Sequence, residues 1–190
     1  DLEGRKLGIE KLEGFFGFGR ATLDVLAHVP FWIYQDQLDL LGIRPDQAWP
    51  SLLDKRLAEK RLDYSVANLS ISGETTAGGR SRLGQALITH KPTIVVIALG
   101  ANDGLRGLPL GQMRDNLNAM VDASRAAGAK VVLAGMRLPP NYGPYATDFF
   151  VSFKGIAQSK KMPLVDFLLE PIARKPQLFQ SDNLHPLAEA

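Results

Sequence analysis

Thr93-Ile94-Val95-Val96-Ile97-Ala98-Leu99-Gly100 is the stretch on which the fold turns. An unbroken apolar, β-branched run closed by glycine is the pattern of a strand buried on both faces, where neither face has to meet water. Downstream, Met113, Leu117, Met120 and Val121 recur at helical spacing and predict a helix from about Leu110 to Ala127, stopped by Gly128. A second buried run follows from Lys130 to Met136. After the loop Pro139-Pro140-Asn141-Tyr142-Gly143 come a helix over roughly Tyr145 to Ser159 and a strand over Pro163 to Leu168. Upstream, Leu83, Ala86 and Leu87 predict a short helix ending at His90, with Gly78 and Gly79 punctuating the chain before it. Tyr64 to Ile71 reads as a strand. A helix capped by Asp46 is expected through Trp49, Leu52, Leu53 and Leu57 to about Lys60. Strands alternating with helices specify an α/β domain of parallel βαβ units in three layers.

The first 41 residues form an atypical N-terminal segment. Phe15-Phe16-Gly17-Phe18-Gly19 and its neighbours show no clean period, and Phe31-Trp32-Ile33-Tyr34 reads as a short strand. From Gly42 to Ala190 nothing resembles a linker or a repeat, so one domain is expected overall. Hydrophobic residues make up 45% of the 190-residue chain and charged residues 22%, which is globular usage able to build a full core. Lys and Arg total 22 against 20 Asp and Glu, a net charge of +2 that gives no footprint for nucleic acid. The absence of cysteine excludes disulfides, thiolate nucleophiles and Cys-ligated metals. The apolar stretch Val25 to Tyr34 contains His28 and Pro30 and is about half the roughly 20 residues of a membrane span. With Asp24 before it, it is also a poor signal sequence. The chain begins at Asp1 rather than Met, as expected of a fragment or a processed form, and the compartment stays open.

In an open parallel sheet, ligands bind beyond the carboxyl ends of the strands. Three polar segments follow strands here: Ser72-Gly73-Glu74-Thr75-Thr76, Gly100-Ala101-Asn102-Asp103-Gly104 and Asp182-Asn183-Leu184-His185-Pro186. Asp182 and His185, three residues apart, suit an imidazole base and the carboxylate that orients it. The plainer reading makes Asp182 a helix cap ahead of Pro186 and His185 a loop residue. The Asn102 amide and the Gly73 N–H suit an oxyanion site, although both residue types are also ordinary turn formers. His28, His90 and His185 lack metal-ligand spacing, so no metal is expected, and no phosphate-loop motif occurs.

Taken in order, these blocks resemble the SGNH hydrolases, or GDSL-type esterases, in the bacterial thioesterase I, lysophospholipase and arylesterase branch. Ile71 to Thr75 matches the second block of that family, Gly100 to Gly107 the third and Asp182 to Pro186 the fifth, and Arg137 to Gly143 is similar to a loop of that branch. The resemblance implies a flavodoxin-like α/β/α fold and hydrolysis of a small-molecule acyl ester or thioester without a cofactor. It makes His185 the general base, Asp182 its orienter, and Gly73 and Asn102 the oxyanion donors. It also implies a periplasmic or secreted protein, and says nothing of oligomeric state.

Three departures accompany the resemblance. The family's first block, Gly-Asp-Ser-Leu-Ser, carries the nucleophile, but here the corresponding stretch is Gln35-Asp36-Gln37-Leu38-Asp39, with Gln37 at the expected Ser position. Ala101 replaces the second glycine of the third block. The chain stops soon after His185, where the family continues into a closing helix, so the domain reads as truncated at its C-terminus. Either the first block has diverged or the reading frame is shifted upstream of Gly42. The expectation is therefore a Ser-His-Asp hydrolase whose nucleophile is not matched, and the alternative is an inactive pseudo-hydrolase that binds an acyl or glycosyl ligand.

Overall fold

The computed structural model describes residues 29–35, 45–181 and 186–187. The run around Val95 forms a strand, Ile94–Ala98, in which every residue is buried. In chain order the strands are β1 (Val29–Gln35), β2 (Tyr64–Asn68), β3 (Ile94–Ala98), β4 (Lys130–Ala134) and β5 (Leu164–Val165). They make one sheet in the order β2-β1-β3-β4-β5, with every neighbouring pair parallel. The helices are α1 (Trp49–Glu59), α2 (Thr76–His90), α3 (Ala101–Leu105), α4 (Leu110–Ala126) and α5 (Pro144–Ser159). This is the flavodoxin-like α/β/α architecture expected above.

Alternation along β3 divides the core. Val95, Ile97 and Leu99 join Leu83 and Leu87 of α2, Met113, Leu117, Met120 and Val121 of α4, and Phe149 and Phe153 of α5. Ile94 and Val96 face the other way, toward Leu53 and Leu57 of α1. Phe149 and Phe153 lie edge to face with ring centroids 5.2 Å apart, a geometry that adds about 0.5–1.5 kcal/mol to their burial. At the end of β4, Gly135 donates its N–H to Val165 O at 2.7 Å. A Cβ on Gly135 would overlap the Asp166 carbonyl oxygen, so only glycine lets the two chains pass this closely.

Several boundaries differ from the sequence reading. Asp46 does not cap α1. It lies in a 3₁₀ turn, Pro45–Gln47, and the helix begins at Trp49 with Ala48 at its cap and Pro50 in its first turn. Gly78 and Gly79 do not interrupt the chain but lie in the first turn of α2, which begins at Thr76. β2 ends at Asn68, because Asn68 Oδ1 accepts from both the N–H and the hydroxyl of Ser70 and turns the chain. β5 is two residues long rather than six. The segment Phe31 to Tyr34 is a strand as expected, and the sheet is built around it.

Candidate active site

The order β2-β1-β3-β4-β5 reverses its winding between β1 and β3, the switch point beside which open α/β sheets hold their ligands. Register puts Ile33 opposite Asn68 and Gln35 opposite Ala98. The carboxyl ends of β1, β2 and β3 therefore lie along one edge.

Beyond β2 the chain makes a tight turn in which Glu74 N donates to Ile71 O at 3.3 Å. Ser72 keeps a negative φ while Gly73 takes +73°, the type II pattern that calls for glycine at the third position. Thr75 then caps α2, its hydroxyl accepting from Gly78 N at 3.3 Å. The Glu74 carboxylate accepts from Thr75 N and pairs with Arg82 Nε at 2.9 Å. It lies where a Cβ on Gly78 would fall, which explains a glycine inside a helical turn.

Beyond β3, Gly100 adopts φ +125° and turns the strand directly into α3. Asn102 and Asp103 on this helix are buried and point to different partners. Asn102 Nδ2 donates to Glu74 O at 3.2 Å, which fixes the amide against the Gly73 turn. Arg106 donates from Nη2 to Gly73 O at 3.1 Å, and its backbone N–H donates to Asn102 O at 3.2 Å. The structure thus brings the Gly73 turn and Asn102 together.

Asp103 holds the assembly from beneath. Its carboxylate accepts from Thr76 N at 2.8 Å and from the Thr76 hydroxyl. That hydroxyl accepts from Asn116 Nδ2, and Asn116 Oδ1 accepts from Arg80. A carboxylate over the first residue of α2 also sits favourably in the helix dipole. On the opposite side the Tyr142 hydroxyl donates to Leu105 O at 3.0 Å and the Tyr145 hydroxyl to Leu108 O at 2.7 Å. Burial, then the nearby Asp103 charge and then Tyr142, push the Tyr145 phenol above its ordinary value of 10.0. Arg106, Asp103, Thr76, Asn116 and the two tyrosines were not singled out in the sequence. Arg106 and Asp103 belong to the Gly100–Gly107 block, Thr76 to the segment after β2 and Tyr142 to the loop before α5, but nothing local names partners some thirty or more residues away.

Gln37, Asp182 and His185 lie outside the described residues. On either side of the last two, Phe179 and Pro186 form an antiparallel bridge, and Leu187 N donates to Leu178 O at 2.8 Å. The serines nearest Gly73 differ in state: Ser70 Oγ is bonded to Asn68, while Ser72 Oγ is buried without a hydrogen-bond partner. A buried hydroxyl is poorly placed to attack a bulky acyl group. Among the described residues no cluster of three or more His, Asp or Glu side chains could hold a metal ion. No described helix is long and apolar enough to cross a membrane.

Residues 33–190 match the model of the GDSL-like Lipase/Acylhydrolase family. The chain is 47% identical over 151 residues to Esterase TesA of Pseudomonas aeruginosa, covering 79% of this chain and 75% of that protein. It is 39% identical over 144 residues to Thioesterase 1/protease 1/lysophospholipase L1 of Escherichia coli, covering 75% and 68%. The crystal structure of TesA superposes with a TM-score of 0.81 at 44% identity, covering 85% of this chain and 91% of the other.

Proposed function

Because this chain belongs to the GDSL-like lipase/acylhydrolase family, a family of ester hydrolases, we propose that its cleft is built to cleave small acyl esters or thioesters through His185, Asp182, Gly73 and Asn102. His185 acts as the general base, Asp182 orients the imidazole, and the Gly73 N–H and Asn102 amide donate to the oxyanion of the tetrahedral intermediate. The reaction needs no cofactor. The observation that carries this reading is the Asn102 Nδ2 bond to Glu74 O, which ties the two oxyanion candidates into one edge of the sheet. Donors fixed before the reaction need no reorganisation as charge develops, and removal of one such donor costs about 10²–10³ in kcat.

The nucleophile is the open part of the machinery. Gln37 stands where the resemblance expects serine, and a carboxamide cannot serve as an alkoxide. The same observation favours a second reading, a pseudo-hydrolase that holds an acyl or glycosyl ligand without turnover. Hydrolysis of a short-chain nitrophenyl ester separates the two. Three proteins are compared: the unmodified chain, Gln37→Ser, and a chain whose stretch from Gln35 to Leu41 is replaced by a Gly-Asp-Ser-Leu-Ser segment of the family's length. Weak turnover in the first, little recovery in the second and large recovery in the third are expected, since about 1 Å of misplacement can cost a hundredfold. His185→Ala should abolish each gain. High activity that survives loss of His185 refutes the proposed site. Failure of the segment replacement to recover activity, with an acyl ligand raising Tm, favours the binding protein.

A further inference from the structure

Arg106 touches the residues of both proposed oxyanion donors. Its backbone N–H holds the Asn102 carbonyl at 3.2 Å, and its guanidinium holds the Gly73 carbonyl at 3.1 Å. Asn102 closes the ring through its own bond to Glu74 O. Its attachment is rigid on the far side, because Tyr142 and Tyr145 anchor the Leu105 and Leu108 carbonyls flanking it. Among the described residues, Arg106 is the side chain that holds the Gly73 carbonyl, while the turn is closed by Glu74 N on Ile71 O. The guanidinium nitrogen lies 3.8 Å from where a Cβ on Gly73 would be. A charge-assisted bond of this kind is stronger than a neutral one and restricts the peptide it holds.

We propose that Arg106 is a positioning residue of the oxyanion site, setting the orientation of the Gly73 turn relative to Asn102. The proposal rests on the hydrolase reading for its catalytic consequence but not for its structural one. Arg106 does not touch the substrate. It acts by keeping the two donors at a fixed separation, so its loss loosens one donor without removing either.

The test uses the full chain and Arg106→Met, with Arg106→Lys as the conservative variant. Backbone order parameters from ¹⁵N relaxation should fall at Gly73 and Glu74 in R106M, from about 0.85 toward about 0.6, while those of Ile94–Ala98 stay unchanged. In R106K they should recover in part. In whichever of the unmodified and segment-replaced chains turns over nitrophenyl ester, kcat should fall about tenfold in R106M with KM within about twofold, since an interaction realised only in the transition state is weakened. Unchanged order at Gly73 overturns the proposal whatever the activity. A loss of order with unchanged kcat, or an effect confined to KM, overturns its catalytic part. Absence of hydrolysis from both chains refutes the hydrolase reading instead, and the order parameters still decide whether Arg106 clamps the turn.

Discussion

Replacing Asp103 by alanine tests the buried network under the site. Asp103 is 3% exposed and Thr76 is fully buried, so the Thr76 N–H and the hydroxyl proton lose their acceptor inside the fold once the carboxylate is gone. Each buried group orphaned in this way costs about 1–3 kcal/mol. Two such groups give about 2–6 kcal/mol, and relief of the carboxylate's own desolvation, together with the bond the Thr76 hydroxyl keeps from Asn116, draws the expectation for Asp103→Ala down to about 2–3 kcal/mol. With a urea slope of about 2 kcal/mol/M, the unfolding midpoint should drop by roughly 1–1.5 M with the slope unchanged. Thr76→Val removes the hydroxyl but keeps the N–H, and should cost about 1–2 kcal/mol. The two residues share a bond, so the double variant should be less destabilised than the two singles together, by about 1 kcal/mol or more. Equilibrium unfolding followed by circular dichroism supplies all four corners of this cycle. A loss under about 0.5 kcal/mol in Asp103→Ala, or strict additivity in the cycle, would refute the claim that this carboxylate secures α2 to α3.

Gly135→Ala forces a methyl group into the Asp166 carbonyl, which is backbone and cannot swing aside. It should lower stability by about 2–3 kcal/mol and expose the β5 edge to proteolysis, and an unaltered melting curve would contradict that close approach. The raised pKa of Tyr145 means the folded chain holds the phenol proton more tightly than the unfolded chain. Its contribution is whole below pH 10.0 and fades as pH climbs through the folded value. Tm measured between pH 8 and about 11.5 should therefore fall more steeply for the unmodified chain than for Tyr145→Phe. Parallel curves would remove Tyr145 as the source.

The parts of the fold legible in the sequence are those in which one physical demand dominates. Burial on both faces writes β3 as a continuous apolar run, and burial on one face writes α4 as Met113, Leu117 and Met120. The start of α2 is not legible, because Gly78 and Gly79 signal a turn locally, whereas the helix start is fixed by the Thr75 hydroxyl on Gly78 N and by the Asp103 carboxylate on Thr76 N. α3 was hidden for a related reason. Five residues containing Asn102-Asp103-Gly104 read as a loop, and the helix is fixed by bonds from Asp103 to Thr76 and from Asn102 to Glu74. Of the site, the pairing of Gly73 with Asn102 was visible as two polar segments following two strands. The bracing by Arg106, Tyr142 and Tyr145 was not, since hydrogen bonds to backbone carbonyls leave no pattern in sequence. The expected roles of Asp182 and His185 rest on their spacing and on the family resemblance, and the significance of Gln37 on the resemblance alone.

β1 comes from the segment of the chain that looks least orderly in sequence, yet it pairs on both sides, with β2 and with β3. Trimming the chain through Gln35 would therefore not shave an outer strand but split the sheet down the middle. Both flanking strands would be left with an open row of N–H and C=O groups, the template on which chains stick to one another. The same arrangement imposes an order on biosynthesis. Once made, β1 stays unpaired along one side until Ala98 has been made, and no shorter nascent chain can join β1 to β3 along its full register. Anyone expressing pieces of this protein should expect inclusion bodies from those that lack either partner, and should place tags and fusion points ahead of Val29 rather than within the strand.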